Sequence, residues 1–178
     1  MMLTRLLNDL GRAVARGVQQ EISARGRGST HRRPRTGHRT STPAGAYPGD
    51  YLGPLAAVYA PTADGRPDPG EVCWAWIPFE ENHERGKDRP ALIIGQDGPW
   101  LLGLPLTSKD HDRDERSEAA AGRHWMDIGS GAWDTSGRPS EARLDRIVRL
   151  SPATVRREGA ALDRVTFDEV IEAAGRLR

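Results

Sequence analysis

Apolar residues fall along this chain in two rhythms, separated by a stretch that has none. Leu3, Leu6, Leu7, Leu10, Val14, Val18 and Ile22 recur every three or four positions, which is one stripe of a helix. Arg5, Arg12, Arg16 and Gln20 fall mostly off that stripe. Residues 1–23 are therefore predicted to form an amphipathic helix, weakened by Gly11 and Gly17. Such a helix suits docking on the rest of the protein or on a partner chain; contact with a membrane surface is the sharper alternative. Residues 24–50, ARGRGSTHRRPRTGHRTSTPAGAYPGD, then offer almost nothing to bury. They predict a flexible basic linker, which continues through Pro- and Gly-containing sequence to residue 65.

From Arg66 the period changes to two. In GEVCWAWIPF, Val72, Trp74 and Trp76 share one face and Cys73, Ala75 and Ile77 the other, as in a strand. A charged loop follows, and then PALIIGQ reads as a buried strand. DGPW is a turn, and LLGLPLTS another strand, with Pro105 pointing to an edge or bulge. DHDRDERSEAAAG is predicted as a long polar loop, RHWMDIG as a short strand, SGAWDTSGRPS as a loop and EARLDRIVRL as a strand. Ser151-Pro152 resembles the cap and first turn of a helix. Thr166 with Glu169 suggests a capping box ahead of Phe167, Val170, Ile171 and Ala174. The expected fold of residues 66–178 is mainly β, a small and strongly bent sheet or barrel closed by a C-terminal helix.

Charge sharpens this division. Residues 1–49 carry nine Arg and two acids, a net +7, so the rest carries −6 within a total of +1. If the body handles nucleic acid, it does so through a local basic patch against a repulsive overall field. The single Cys73 excludes an internal disulfide and a multi-Cys zinc site, and fits a reducing cytoplasm. No apolar run approaches the roughly 20 residues needed to cross a membrane.

The sequence holds no GxxxxGK, no GxGxxG after a strand, no HExxH and no GxSxG. Asp110, His111, Asp112 and Asp114 are interleaved with Arg113 and Arg116, which reads as a solvated loop rather than a metal site. Polar residues at strand ends remain: His83, Arg89, Thr107, Ser108 and the pair Arg143 and Asp145, whose spacing of two puts both on one face of a strand. Taken singly, each reads as an exposed or ion-paired surface group. Trp76, Trp125 and Trp133 read as core or loop anchors, with base stacking the alternative for Trp76 at its strand end.

Taken in order, GEVCWAWIPF, NHERGKDRPALIIG, LPLTS and RLDRIVRLSP resemble the successive motifs of the MazF/PemK (Kid) toxins, over about Gly70 to Leu177. The resemblance implies a small SH3-like β-barrel with a C-terminal helix, acting as a cytoplasmic homodimer. It implies a metal-independent endoribonuclease that needs no cofactor, cuts single-stranded RNA and is held inactive by a cognate antitoxin. By position, Arg89 matches the Arg of the family's Arg-Pro block and would hold the scissile phosphate, and Thr107 would donate a hydrogen bond there. Asp145 matches the family's carboxylate and is the candidate general base. Arg143 matches the Arg on the same strand; the resemblance also allows it an acid role, while its high pKa suits electrostatic stabilisation of phosphoryl oxygens. His83 matches a loop His that could bind RNA or assist proton transfer. Arg85 and Arg146 stand where the family usually has Gln, Asn82 where it has Gly, and Val148 where a basic or polar residue is common. The two added arginines suit a phosphate ligand, so Arg85, Arg146, Ser108 and Trp76 join His83 as substrate-binding candidates. The competing function is a catalytically silent barrel that binds RNA or a protein. A CcdB-like gyrase poison ranks lower, because the chain ends Gly175-Arg176-Leu177-Arg178, without the aromatic residue that such proteins use.

Overall fold

The alternation in GEVCWAWIPF is realised as strand β1, Glu71–Pro78, with Val72 in one buried cluster and Cys73, Ala75 and Ile77 in another. In this computed structural model residues 47–109 and 115–178 are described; the helix expected over 1–23 and the first half of the expected linker lie outside them. Six further strands follow: β2, Gly86–Asp97; β3, Trp100–Thr107; β4, Trp125–Asp127; β5, Glu141–Arg143; β6, Val148–Leu150; and β7, Arg156–Ala161. They pair antiparallel in the order β4-β5-β3-β2-β1-β7, with β6 also on β3. The result is a mainly β, curled antiparallel sheet with a C-terminal helix, α2, Arg164–Gly175. No helix among the described residues is long and apolar enough to cross a membrane.

One face of the sheet buries Val72, Leu92, Leu102, Leu104 and Leu106 beneath Phe167, Val170 and Ala174 of α2. Those three helix positions are spaced three and four apart, so one stripe meets the sheet. The helix is capped one turn before the predicted box: Asp163 is the N-cap, and its carboxylate accepts from Thr166 N. The opposite face gathers Cys73, Ala75, Ile77, Ala91, Ile93, Val148 and Leu150.

Four elements differ from the sequence reading. First, β2 begins at Gly86 rather than Pro90, because Gly86–Arg89 pair with Ala75–Pro78 of β1. Arg89 therefore lies within a strand, opposite Ala75, and not at a loop end. Second, the expected strand over 141–150 is broken. Ala142 pairs with Leu106 and Val148 with Gly103, so residues 144–147 bulge out with three more residues than β3 offers opposite them. Pro105, in that stretch of β3, has no N–H to offer a partner. Third, Ser151-Pro152 starts a turn closed by Thr154 N on Ser151 O, not a helix, and the chain continues as β7 along the open edge of β1. RREGAA has little strand character of its own; the unpaired edge recruits it. Fourth, the expected polar loop after Thr107 contains a short helix, α1, Glu115–Ala120, ended by Gly122 at φ +72°.

Residues 47–61, assigned by composition to the flexible linker, lie along the sheet as a strap. Tyr51 N donates to Ile147 O, Val58 N to Ile94 O and Ala60 N to Pro69 O. Ile94 sits at a bulge between β2 and β3, which frees its carbonyl for Val58. Tyr51, Leu55, Ala57 and Tyr59 pack on the core, the Tyr59 ring edge-on to Phe167 at 5.1 Å, and Tyr59 Oη donates to Leu162 O. Gly70 has φ +100°, and a Cβ there would lie 2.7 Å from the Tyr59 ring, so the strap crosses β1 where only glycine fits.

Candidate active site

The face of β1 and β2 that carries Ala75, Ile77 and Ala91 ends at its open side in Arg89. Beyond Ala91 and Pro105, β3 leaves β2 and pairs with β5 instead. Neither Pro90 nor Pro105 can donate to a ladder, which favours the parting there. A cleft of about 230 Å³ opens between the two halves. Ile77, Arg89 and Pro105 form one wall, Trp125, Arg143 and Arg146 another, and Pro78 to Glu81 with Arg123 complete it.

Four guanidinium groups thus meet at one cleft, and three are already paired. Arg143, 9% exposed, reaches Asp145 with Nη2 to Oδ2 at 2.8 Å and Glu80 with Nη1 to Oε2 at 2.9 Å. Burial alone would pull the Arg143 pKa down, but the hydrogen bonds to Asp145 and Glu80 outweigh it and hold the group more firmly charged than usual. Arg123 pairs with Glu118 of α1, which also accepts from Trp125 Nε1. Arg146, projecting from the bulge, pairs with Asp50 of the strap at 2.7 Å. Arg89 is the cleft arginine with no carboxylate partner among the described residues.

Asp145 is not on a strand, as the period-two reading had it, but in the bend after β5. Its meeting with Arg143 survives because Leu144 N donates to His124 O while Asp145 Oδ1 accepts from His124 N, folding the bend back onto the strand end. Thr107 ends β3 two residues beyond Pro105, and its Oγ1 accepts from Lys109 N, leaving its hydroxyl proton free to donate. Ser108 follows it, exposed. Arg85 is exposed at the β1–β2 hairpin, its guanidinium 5.9 Å from the ring centre of Phe79, a cleft residue, with Lys87 at 5.8 Å. His83 lies on the same hairpin loop and meets the edge of the Tyr47 ring at 4.9 Å.

Trp76 does not reach the cleft. It stands on the face of β1 opposite Ile77 and lies over Gly86, where a Cβ would come within 2.6 Å of its ring. The tryptophan on the cleft wall is Trp125, opposite Arg143 in the β4–β5 register. Sequence reasoning also missed Glu80, Glu81 and Arg123. Nothing in their local pattern distinguishes them from solvated charges, and only the splayed sheet gathers them. Among the described residues no group of three or more His, Cys, Asp or Glu side chains could hold a metal ion; Asp110–Asp114 lie outside them.

The Asp50–Arg146 pair ties the strap to this cleft and has a pH signature. Burial raises the Asp50 pKa, but hydrogen bonds from Arg146 and Tyr47 and the nearby positive charge overcome it, and the net shift is downward. A depressed folded pKa stabilises fully above the unfolded value of about 3.9 and is lost as pH falls through the folded one. Asp50→Asn is therefore expected to cost about 1–3 kcal/mol at pH 7, with wild type and variant converging in acid, once the pH has fallen through the lowered folded pKa. Urea midpoints at pH 7 and in acid measure it; an equal gap at both would mean that the carboxylate charge contributes nothing.

No curated protein matches this chain. A crystal structure of MazE-MazF (form II) from Deinococcus radiodurans is similar over 64% of this chain and 96% of that chain, at 20% identity and a TM-score of 0.42. The sequence pattern that defines PemK-like and MazF-like toxins matches residues 68–177, from the turn before β1 through α2, a span that takes in every cleft residue named above. On that match, over more than half its length, the chain belongs to the PemK-like, MazF-like toxins of type II toxin–antitoxin systems.

Proposed function

We propose that the protein is an endoribonuclease toxin that cleaves single-stranded RNA without a metal ion, by attack of a ribose 2′-hydroxyl on the adjacent phosphate. The observation that carries this reading is Arg89, a partly buried guanidinium without a carboxylate partner among the described residues, in a cleft that it shares with Arg143. An unpaired planar cation beside a second one is suited to the oxygens of a phosphodiester. Charge accumulates on those oxygens as phosphorus becomes five-coordinate, and Arg89 and Arg143 would stabilise it while Thr107 donates a hydrogen bond from the end of β3. Asp145 would keep Arg143 in place. Arg85, Lys87 and His83, on the exposed hairpin, would meet the flanking RNA, and Trp125 offers a ring for a base. Arg146 contributes less than the sequence suggests, since Asp50 already neutralises it. Family membership also supports a cognate antitoxin as the protein partner and a homodimer as the working unit.

The test is to incubate the protein with several long single-stranded RNAs in excess EDTA. Fragments ending in a 2′,3′-cyclic phosphate, facing fragments with a 5′-hydroxyl, are expected. A folded protein that leaves every RNA intact, or that cuts only when a divalent ion is restored, would overturn the reading. Tight RNA binding without product would point instead to the catalytically silent barrel.

A further inference from the structure

In-line attack by a 2′-hydroxyl needs a proton acceptor beside the scissile phosphate, and the resemblance gives that role to Asp145. The hydrogen bonds of this chain point elsewhere. A carboxylate has about four lone-pair positions. Asp145 Oδ1 accepts from His124 N at 2.8 Å and Arg143 Nε at 3.3 Å, and Oδ2 accepts from Arg143 Nε at 3.0 Å and Nη2 at 2.8 Å. Three N–H groups thus face the carboxylate, the Arg143 Nε–H shared between both oxygens; the side chain is only 17% exposed, and it is not on the cleft wall.

Glu80 differs on each count. It lines the cleft, its side chain is 58% exposed, and its ion pair is to a single nitrogen, Arg143 Nη1. Arg143 thus carries two carboxylates with different geometry. Asp145 grips the Nε and Nη2 edge and fixes the guanidinium; Glu80 occupies the remaining nitrogen from the cleft side. A phosphate binding Arg143 competes with Glu80 for Nη1. The displaced carboxylate stays tethered by the hairpin beside that phosphate, with lone pairs free. The other charged groups around it are Arg89 on β2, Arg143 on β5, Arg123 before β4, Arg146 in the bulge and Glu81 on its own loop. Glu81 also lines the cleft but makes no ion pair with Arg143 among the described contacts.

We propose that Glu80 takes the 2′-hydroxyl proton and that Asp145 is a positioning residue acting through Arg143; this rests on the endoribonuclease reading. A Glu80 oxygen accepts the proton while O2′ forms its bond to phosphorus. The P–O5′ bond breaks and its electron pair leaves on O5′. Water in the open cleft takes the proton from Glu80 and delivers one to O5′. The products are a 2′,3′-cyclic phosphate and a 5′-hydroxyl, and no proton is consumed.

The experiment compares the full-length wild type with Glu80→Gln, Glu80→Asp and Asp145→Asn, in single-turnover cleavage of a labelled RNA between pH 4 and 9, with RNA affinity measured in parallel. Glu80→Gln is expected to lower the rate about 10²–10⁴-fold with affinity within threefold, and to abolish the acidic limb of the pH–rate profile. Glu80→Asp should recover part of the rate. Asp145→Asn should be slower and less stable yet keep the acidic limb. Cleavage by Glu80→Gln within threefold of wild type, or faster than it, overturns the proposal, as does loss of the limb in Asp145→Asn instead. A wild type that cleaves no RNA strikes at the endoribonuclease reading itself, and the proposal falls with it.

Discussion

Replacing Arg89 with alanine is expected to lower RNA cleavage about 10²–10³-fold while the protein unfolds at nearly the wild-type temperature. The rate loss follows from removing a charged donor aimed at oxygens that gain charge in the transition state, an effect of about 3–4 kcal/mol on the barrier. The fold should tolerate the change because Arg89 has no carboxylate partner among the described residues to leave stranded. Its strand is anchored by the buried run Ala91–Ile94. Arg143→Ala is a poorer probe. It removes a buried cation and leaves the Asp145 carboxylate with only the His124 amide, so lost activity would be mixed with lost stability of roughly 3–5 kcal/mol. Arg89→Lys should fall between wild type and alanine, since a point charge replaces a planar fork. Cleavage by Arg89→Ala within threefold of wild type would remove Arg89 from the mechanism.

A chain that starts at residue 62 is expected to fail to fold cooperatively, although it retains all of the family-matched residues 68–177. A chain that starts at residue 47 keeps the whole strap and should retain a cooperative transition. The shorter chain loses Asp50 and leaves Arg146, 8% exposed, as an unpaired buried charge, which costs about 3–5 kcal/mol. It also loses the packing of Tyr51, Leu55, Ala57 and Tyr59 and the backbone bonds to Ile94, Ile147 and Pro69. Stripping apolar cover from Phe167 and the sheet removes several kcal/mol more. Together these losses match the whole stability of a typical domain, about 5–15 kcal/mol. Urea melts followed by tryptophan fluorescence and near-ultraviolet circular dichroism decide it. A cooperative transition at an unchanged midpoint would reduce the strap to decoration.

The cleft also clarifies why this toxin needs more than a basic surface. Most of its arginines are neutralised in place by Glu80, Asp145, Glu118 and Asp50, which limits non-specific attraction to nucleic acid. Arg89, on the cleft wall, is left without a carboxylate partner among the described residues, and under the proposed function it is the group that would meet a phosphate.

Local pattern alone determined a good deal. Period-two alternation located β1, and near-continuous apolar runs located the core of β2 and β3, because a strand buried on both faces carries apolar residues at successive positions. The three-and-four spacing of Phe167, Val170 and Ala174 located α2. Arg89 and Arg143 were picked out by the order of their motifs, and the fold brings both to one cleft; Thr107 and Asp145, picked out the same way, are not on its wall. What stayed hidden depends on contacts between residues distant in sequence. The strap looked like linker because of its Pro and Gly residues, although Tyr51, Leu55, Ala57 and Tyr59 fall on one face by a period of two; what fixes them includes backbone bonds to Ile94 and Ile147, far along the chain. Strand β7 was invisible because an open edge, not its own composition, makes it a strand. The bulge at 144–147 reflects a mismatch with β3 that no single segment carries. Glu80, Arg123 and Trp125 looked like ordinary charges and an ordinary anchor. Only the parting of β3 from β2 brings them to one cleft with Arg89, because the direction of a side chain follows from strand register, and register is set by the partner strand.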